Sequence, residues 1–396
     1  MKKILALAMA LAMVATLFTG CGNSTTGGDN GKSVLDVIKI GVYEPASGEN
    51  GAGGKQETLG VQYANSMTPT VDIGGKTYKV ELVTADNESS TDKGPSAAAT
   101  LVSAGVSVVL GSYGSGVSIA ASDVFGKAKI PAIGITCTNP QVTEGNDHYF
   151  RICFLDPFQG TVLANFAADN FSAKKAYVLT KLGDDYSVGL GHYFQQAFEG
   201  LGGTVVTETF PEGSSDFSSY LTNAAKENAD VIFAPVSTEA AALIIEQASA
   251  KGVKAPIMAG DTWDSNVILN AAKGKDVKVY VTTFYQEGGD PEFDKGIKKW
   301  INSNPTNLAN NGGDDTVAAV SAMGFDAYYV ALEALKAAGS SDPVEVNKAL
   351  WDVKYKGVSG DIAFDEQGDA IRDVAYVKTA NTETGAWDFV SVQGIK

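Results

Sequence analysis

Residues 108–122 read VVLGSYGSGVSIAAS. A short apolar run breaks into glycines and small hydroxyls, then continues as a helix expected over 118–127. A strand that ends in glycine and serine at the mouth of a helix offers unpaired backbone N–H groups and hydroxyl donors, which suit an anion. That anion could be a nucleotide phosphate, an oxyanion on a reaction path, or the carboxylate of a small molecule.

Outward from this junction the same unit repeats. Apolar strands are expected at 37–44, 78–86, 106–112, 130–136, 175–181, 204–210, 230–236, 255–261 and 277–284. They are short, rich in Val and Ile, and hydrophobic on both faces, as strands covered on both sides should be. Helical stretches lie between them. In PEFDKGIKKWIN, Phe293, Ile297, Trp300 and Ile301 share one face, and Asp290-Pro291 supplies an N-cap and first-turn proline. Asp342-Pro343 opens another helix in the same way. Alternating β and α elements imply parallel doubly wound sheets. A chain of 396 residues has room for two such lobes.

In such sheets ligands bind beyond the carboxyl ends of the strands. Those ends carry Ser115, Ser118, Thr136 and Thr138 early in the chain, and Tyr186, Asp261 and Trp263 later. Two lobes built this way would enclose a cleft with one donor wall and one acceptor wall. That arrangement fits a zwitterion, whose carboxylate needs donors and whose ammonium needs a carboxylate.

Rival chemistry is thin. GSYGSG lacks the lysine of a phosphate-binding loop, and no GxSxG elbow is present. The two histidines, His148 and His192, have neither a nucleophile motif nor metal-ligand spacing, so no catalytic residue, metal or cofactor is expected. A formal charge of −16 argues against a nucleic-acid partner. Cys137 and Cys153 could pair in an oxidising compartment or remain buried thiols.

The N-terminus reads as a leader. Met1-Lys2-Lys3 is a positive start, and 4–18 is an apolar run too short for an ordinary membrane span. Phe18-Thr19-Gly20-Cys21 resembles a bacterial lipobox, which implies removal of residues 1–20 and lipidation of Cys21. A polar, glycine-rich tether would follow over 21–35. The protein is thus expected outside the cytoplasm, held on the cell membrane by a lipid.

The order of motifs resembles the leucine/isoleucine/valine-type substrate-binding proteins of ABC transporters, with the type I periplasmic-binding fold. The resemblance runs from about residue 37 to the end. It lies in IGVYEPASGENGAGGKQETLGVQYAN (40–65), GSYGSGVSIAAS (111–122), IPAIGITCTNP (130–140), YFRICFLDPFQG (149–160), LGDDYSVGLG (182–191), GDTWDS (260–265), GFDAYYVALEAL (324–335) and GDIAFDEQGD (360–369). It implies two lobes joined by three crossovers, over 36–156 with 285–357 and over 157–284 with 358–396. It places a ligand carboxylate on Ser115 and Ser118, and on Thr136, Cys137 and Thr138 through backbone and hydroxyl groups. It places the ammonium on Tyr186 and Asp261. Tyr113, Trp263, Phe284 and Asp156 would line the pocket. An aromatic residue the family often carries near position 53 is here Gly53, and the family's second-lobe tyrosines give way to Val236-Ser237-Thr238-Glu239. The implied partners of a monomer are an amino acid and the permease and ATPase subunits of an importer. A sensor module, or a receptor for an amide or urea, is the alternative.

Overall fold

The protein is described by a computed structural model over residues 35–394. The leader, Cys21 and nearly all of the expected tether lie outside that range. Six strands form the first sheet: β1 (Val37–Glu44), β2 (Thr70–Ile73), β3 (Lys76–Asp86), β4 (Val108–Leu110), β5 (Ala132–Gly134) and β6 (Tyr149–Arg151), in the order β2-β3-β1-β4-β5-β6. The second sheet holds β7 (Lys175–Lys181), β8 (Thr204–Phe210), β9 (Val231–Phe233), β10 (Ile257–Ala259) and β11 (Val279–Thr283). Beyond a small hairpin, β12 (Lys354–Gly357) with β13 (Gly360–Ala363), the chain returns to that sheet as β14 (Ala375–Asn381) and β15 (Ala386–Gln393). Its order is β15-β14-β11-β10-β9-β7-β8. Pairing is parallel through both sheet centres and antiparallel only at β2–β3, β11–β14 and β14–β15.

Helices cover both faces of each sheet. The first sheet is flanked by α1 (Gly51–Met67), α2 (Gly94–Ala104) and α3 (Ser115–Ala128). The second is flanked by α4 (Asp156–Phe171), α5 (Asp185–Gly200), α6 (Ser218–Lys226), α7 (Thr238–Lys251) and α8 (Asn266–Ala272). The chain then forms α9 (Pro291–Ile301), α10 (Pro305–Asn310), α11 (Ala319–Ala338) and α12 (Pro343–Leu350).

Period-2 alternation sorts each strand between two cores. From β1 and β4, Ile38, Ile40, Val42, Val108 and Leu110 share a core with Val61 of α1 and Leu332 of α11. Their neighbours Tyr43 and Val109 pack on Leu101 of α2 and Phe125 of α3. The second sheet splits likewise, with Leu179, Ile232 and Ile257 against Ile244 of α7, and Val178, Phe233 and Met258 against Phe194 of α5. Each buried aliphatic side chain of this kind contributes about 1.5–3 kcal/mol.

The signals read from sequence act as expected at α9. Asp290 accepts from the N–H groups of Glu292 and Phe293 at 3.1 and 3.0 Å, and Phe293, Ile297 and Ile301 are buried. Trp300 is only partly buried against this core. Asp342 caps α12 by accepting from Val344 N–H at 2.9 Å. α3 begins at Ser115, one turn earlier than the expected 118. β2, β6 and the C-terminal strands were not foreseen: β2 and β6 are too short for a periodic signal, and β15 leaves most of its residues half-exposed or exposed.

Candidate functional site

Strand order reverses between β1 and β4 in the first sheet and between β7 and β9 in the second. At such switch points the loops leave the sheet in opposite directions and open a crevice. The two crevices face each other, and a cavity of about 410 Å³ lies between them. Tyr113, Ser115, Gly116, Lys181, Tyr186 and Thr262 are among its lining residues.

On the first-sheet side, the early start of α3 matters most. Ser115, Gly116 and Val117 occupy its first turn, so their N–H groups have no acceptor inside the helix. Ser115 Oγ accepts from Asn139 N–H at 3.2 Å, which leaves its own proton free. The loop before α3 is held by Gly111, at φ +123, where a Cβ would fall 2.2 Å from the Tyr43 carbonyl oxygen. Glu44, at the end of β1, accepts from Tyr113 N–H at 2.7 Å and fixes the next residue pair. The Tyr113 ring occupies the space that a side chain at 53 would need: a Cβ there would sit 2.4 Å from the ring. Its hydroxyl donates across the cleft to Thr262 O at 3.1 Å.

On the second-sheet side, Asp261 is buried and follows β10. Gln159 Nε2 donates to its Oδ1 at 2.8 Å, and the Tyr186 hydroxyl donates to the same oxygen at 3.3 Å. Burial raises the Asp261 carboxyl to about 7 against those hydrogen bonds. Asp156, at the start of α4, is buried with neither oxygen hydrogen-bonded, and burial raises it to about 8, the charge of Asp261 adding to the rise. Thr138 Oγ1 and Gln159 Oε1 are likewise buried without a partner.

Arg151 holds the intervening loop. It is fully buried, pairs with Asp369 at 2.7 Å, and donates to Cys137 O, Asn139 O and Thr143 Oγ1. Lys378 answers Asp264 at 2.9 Å. The interior cations are thus engaged elsewhere, while Glu44, Glu57, Asp156 and Asp261 are buried with no ion pair among the described residues.

Tyr113, Ser115 and Tyr186 line the cavity directly, and Asp261 stands behind Tyr186. Several expected residues are placed otherwise. Thr136 donates its hydroxyl proton to Glu57 Oε2 at 2.6 Å, so that proton is not available to a carboxylate. Ser118 turns its hydroxyl back to Gly114 O at 2.8 Å, an i−4 bond that keeps it inside α3. Cys137 buries its side chain in the first-half core and gives its carbonyl to Arg151. Trp263 is fully buried in the second half, its indole donating to Val236 O at 3.0 Å. Phe284 packs on Phe154 in a tilted pair, with centroids 4.2 Å apart, and lines a separate cavity with Arg372 and Tyr376. Trp263 and Phe284 therefore pack cores instead of lining the cleft. Cys137 and Cys153 are free, buried thiols. Glu44, Glu57, Gln159 and Thr262 were missed. The signal for Glu57 was its place on the helix face that carries Gly53 and Gly60, where a carboxylate is buried among small residues.

Residues 37–385 match the family described as periplasmic binding protein. The chain belongs to that family. The chain is 32% identical over 365 residues to a Leu/Ile/Val-binding protein homolog of Brucella abortus, covering 90% of this chain and 94% of the relative. A crystal structure of a leucine binding protein from Thermotoga maritima superposes with a TM-score of 0.79 at 33% identity, over 90% of this chain and 99% of that one. The branched-chain amino acid transporter substrate binding protein of Streptococcus pneumoniae, solved with isoleucine, gives 0.76 at 26% identity over 91% and 100%. The fold is the type I periplasmic-binding fold, and the family binds solutes and is not catalytic. No helix of the described residues is long and apolar enough to cross a membrane.

Proposed function

We propose that the protein is an extracytoplasmic receptor of an ABC importer that captures a branched or other apolar α-amino acid in the cleft and delivers it to a permease. One observation carries this reading: the first turn of α3 with Ser115 and the Tyr186 ring, with Asp261 behind it, stand on opposite walls of one cavity. A carboxylate at a helix N-terminus and an ammonium on a buried carboxylate are the natural partners of those walls. The named relatives, Leu/Ile/Val and leucine binders, point the same way.

In this reading the two sheets are lobes, over 36–156 with 285–357 and over 157–284 with 358–396, that close by hinge motion on the solute. The protein is then a monomer anchored through lipid on Cys21, and the solute passes to the transmembrane and ATPase subunits of the importer. Calorimetry with L-leucine, L-isoleucine and L-valine tests the ligand class. Binding that is lost in Asp261→Asn and weakened in Ser115→Ala supports it, and heat-silent titrations of all three sink it.

A further inference from the structure

Asn266 opens α8, and its side chain has no capping task there, since Ser265 Oγ already accepts from Val267 N–H at 3.2 Å. α8 belongs to the second half, where its Ile268 and Leu269 share a core with Ile257 and Val279. The Asn266 amide instead reaches two partners on the first-half side. Its Nδ2 donates to Asn311 O, and its Oδ1 accepts from Gln56 Nε2 at 3.3 Å. Gln56 Nε2 also reaches Asn311 O at 3.5 Å. Gln56 lies on α1, whose Val61 is in the first-half core, and Ser321 of α11 holds that point of α1 by donating to Gln56 O at 2.7 Å. Asn311 is the C-cap of α10, a helix that Leu308 packs onto the same core. A carbonyl at a helix end has no donor inside the helix, and here the two amides supply donors. Gln56, Asn266 and Asn311 are all buried. Gln56 and Asn266 line a cavity of about 370 Å³, different from the proposed solute cavity. Gly312 makes room for the arrangement: it stands at φ +81, and a Cβ there would fall 2.5 Å from Asn266 Nδ2. Its neighbour Gly313, at φ +98, faces open space.

Resting on the reading of the two halves as lobes that close on a solute, we propose that Asn266 is a positioning residue that latches the lobes together. It sets how long a captured solute stays without touching it. Separating the lobes exchanges its bonds to Gln56 and Asn311 for bonds to water. A buried neutral hydrogen bond contributes modestly to stability, so a few of them bias closure without locking it. The latch acts on the closed state whatever fills the cleft, so it governs residence time and not the choice of solute. It is also uncharged, unlike the Lys181–Glu49 pair at the cavity mouth, so its contribution survives raised salt.

Stopped-flow release of L-leucine, L-isoleucine and L-valine from the wild type, Asn266→Ala, Gly312→Ala and Gly313→Ala tests the latch. Release should be about tenfold faster in Asn266→Ala, which removes the amide, and in Gly312→Ala, whose new methyl displaces it. The factor should be the same for every solute that binds, with association unchanged. Gly313→Ala brings the same positive-φ strain into the same loop without meeting Asn266, and should release like the wild type. Unchanged release in either latch variant, equal acceleration in Gly313→Ala, or a factor that differs between solutes overturns the latch. If the wild type binds none of the three, the proposed ligand class fails by itself, and small-angle scattering of the ligand-free proteins decides the latch. A larger radius of gyration in both latch variants than in Gly313→Ala supports it, and equal radii overturn it.

Discussion

Thr136 Oγ1 donates to Glu57 Oε2 at 2.6 Å, and both residues are buried. A hydroxyl expected to grip a carboxylate is thereby committed to one already present in the protein. On the proposed reading, a solute carboxylate is left to Ser115 and the α3 N-terminus.

Asp261→Asn should reduce amino-acid affinity by about tenfold to a hundredfold, the range for losing a hydrogen-bonded charge partner at a buried site. The same variant should raise the thermal stability of the ligand-free protein, because a buried carboxyl that is raised to about 7 by burial has been neutralised. Calorimetry and thermal unfolding of one preparation read both effects, which have opposite signs.

Stability of the ligand-free protein should fall as pH rises from about 4 to 8. Burial lifts Glu57 and Asp156 to about 8 and Asp261 to about 7, so each holds its proton more tightly folded than unfolded. Their contribution is fully present below the unfolded carboxylate range and is lost as pH passes the folded values. Each extra bound proton gives a slope of about 1.4 kcal/mol per pH unit. Denaturant unfolding across that range should show a shallower slope in Glu57→Gln and Asp261→Asn than in the wild type.

Amino-acid affinity should rise with pH through about 7, where Asp261 ionises in the free protein. An ammonium needs the charged carboxylate, so capture at pH 6 must first release a proton. Titrations in buffers of different ionisation enthalpy should show that proton at pH 6 and show less of it at pH 8.

Arg151→Met should destabilise the fold by about 3–5 kcal/mol, the cost of stranding a buried ionic partner. Asp369 loses its guanidinium, and the carbonyls of Cys137 and Asn139 lose their donors. Chemical unfolding measures the loss, and Arg151→Lys should rescue little of it, since a lysine cannot span those partners.

Glu49→Gln should speed solute release about three- to tenfold with little change in association. Lys181 Nζ lies 2.8 Å from both Glu49 oxygens, and Thr238 Oγ1 donates to Glu49 O at 3.0 Å, so this loop ties the two halves at the cavity mouth. Stopped-flow fluorescence separates the two rates.

Much of the fold was legible because parallel strands covered on both faces leave apolar runs that need no context. β1, β7 and β8 fall at the residues expected. β15 was not legible, since an exposed edge strand has no such run, and in β14 the apolar residues are interrupted by Lys378 and Thr379. At the site, strand-end chemistry pointed to Ser115 and Tyr186, which line the cavity, and to Asp261, which stands behind Tyr186. It misassigned Thr136, Trp263 and Phe284 because sequence shows that a residue ends a strand, not which neighbour claims its side chain. Glu57 was hidden for the complementary reason. On a helix, a single carboxylate looks like a solvated charge until the packing of Tyr113 on Gly53 shows that face to be buried.

The most direct measurement is thermal unfolding of the protein with each of the twenty amino acids, followed by calorimetry on every one that stabilises it. A solute at 100 times its dissociation constant adds about 2.7 kcal/mol of stability. The account predicts a shift of that size with one or a few apolar amino acids, abolished in Asp261→Asn. No shift with any amino acid would contradict it.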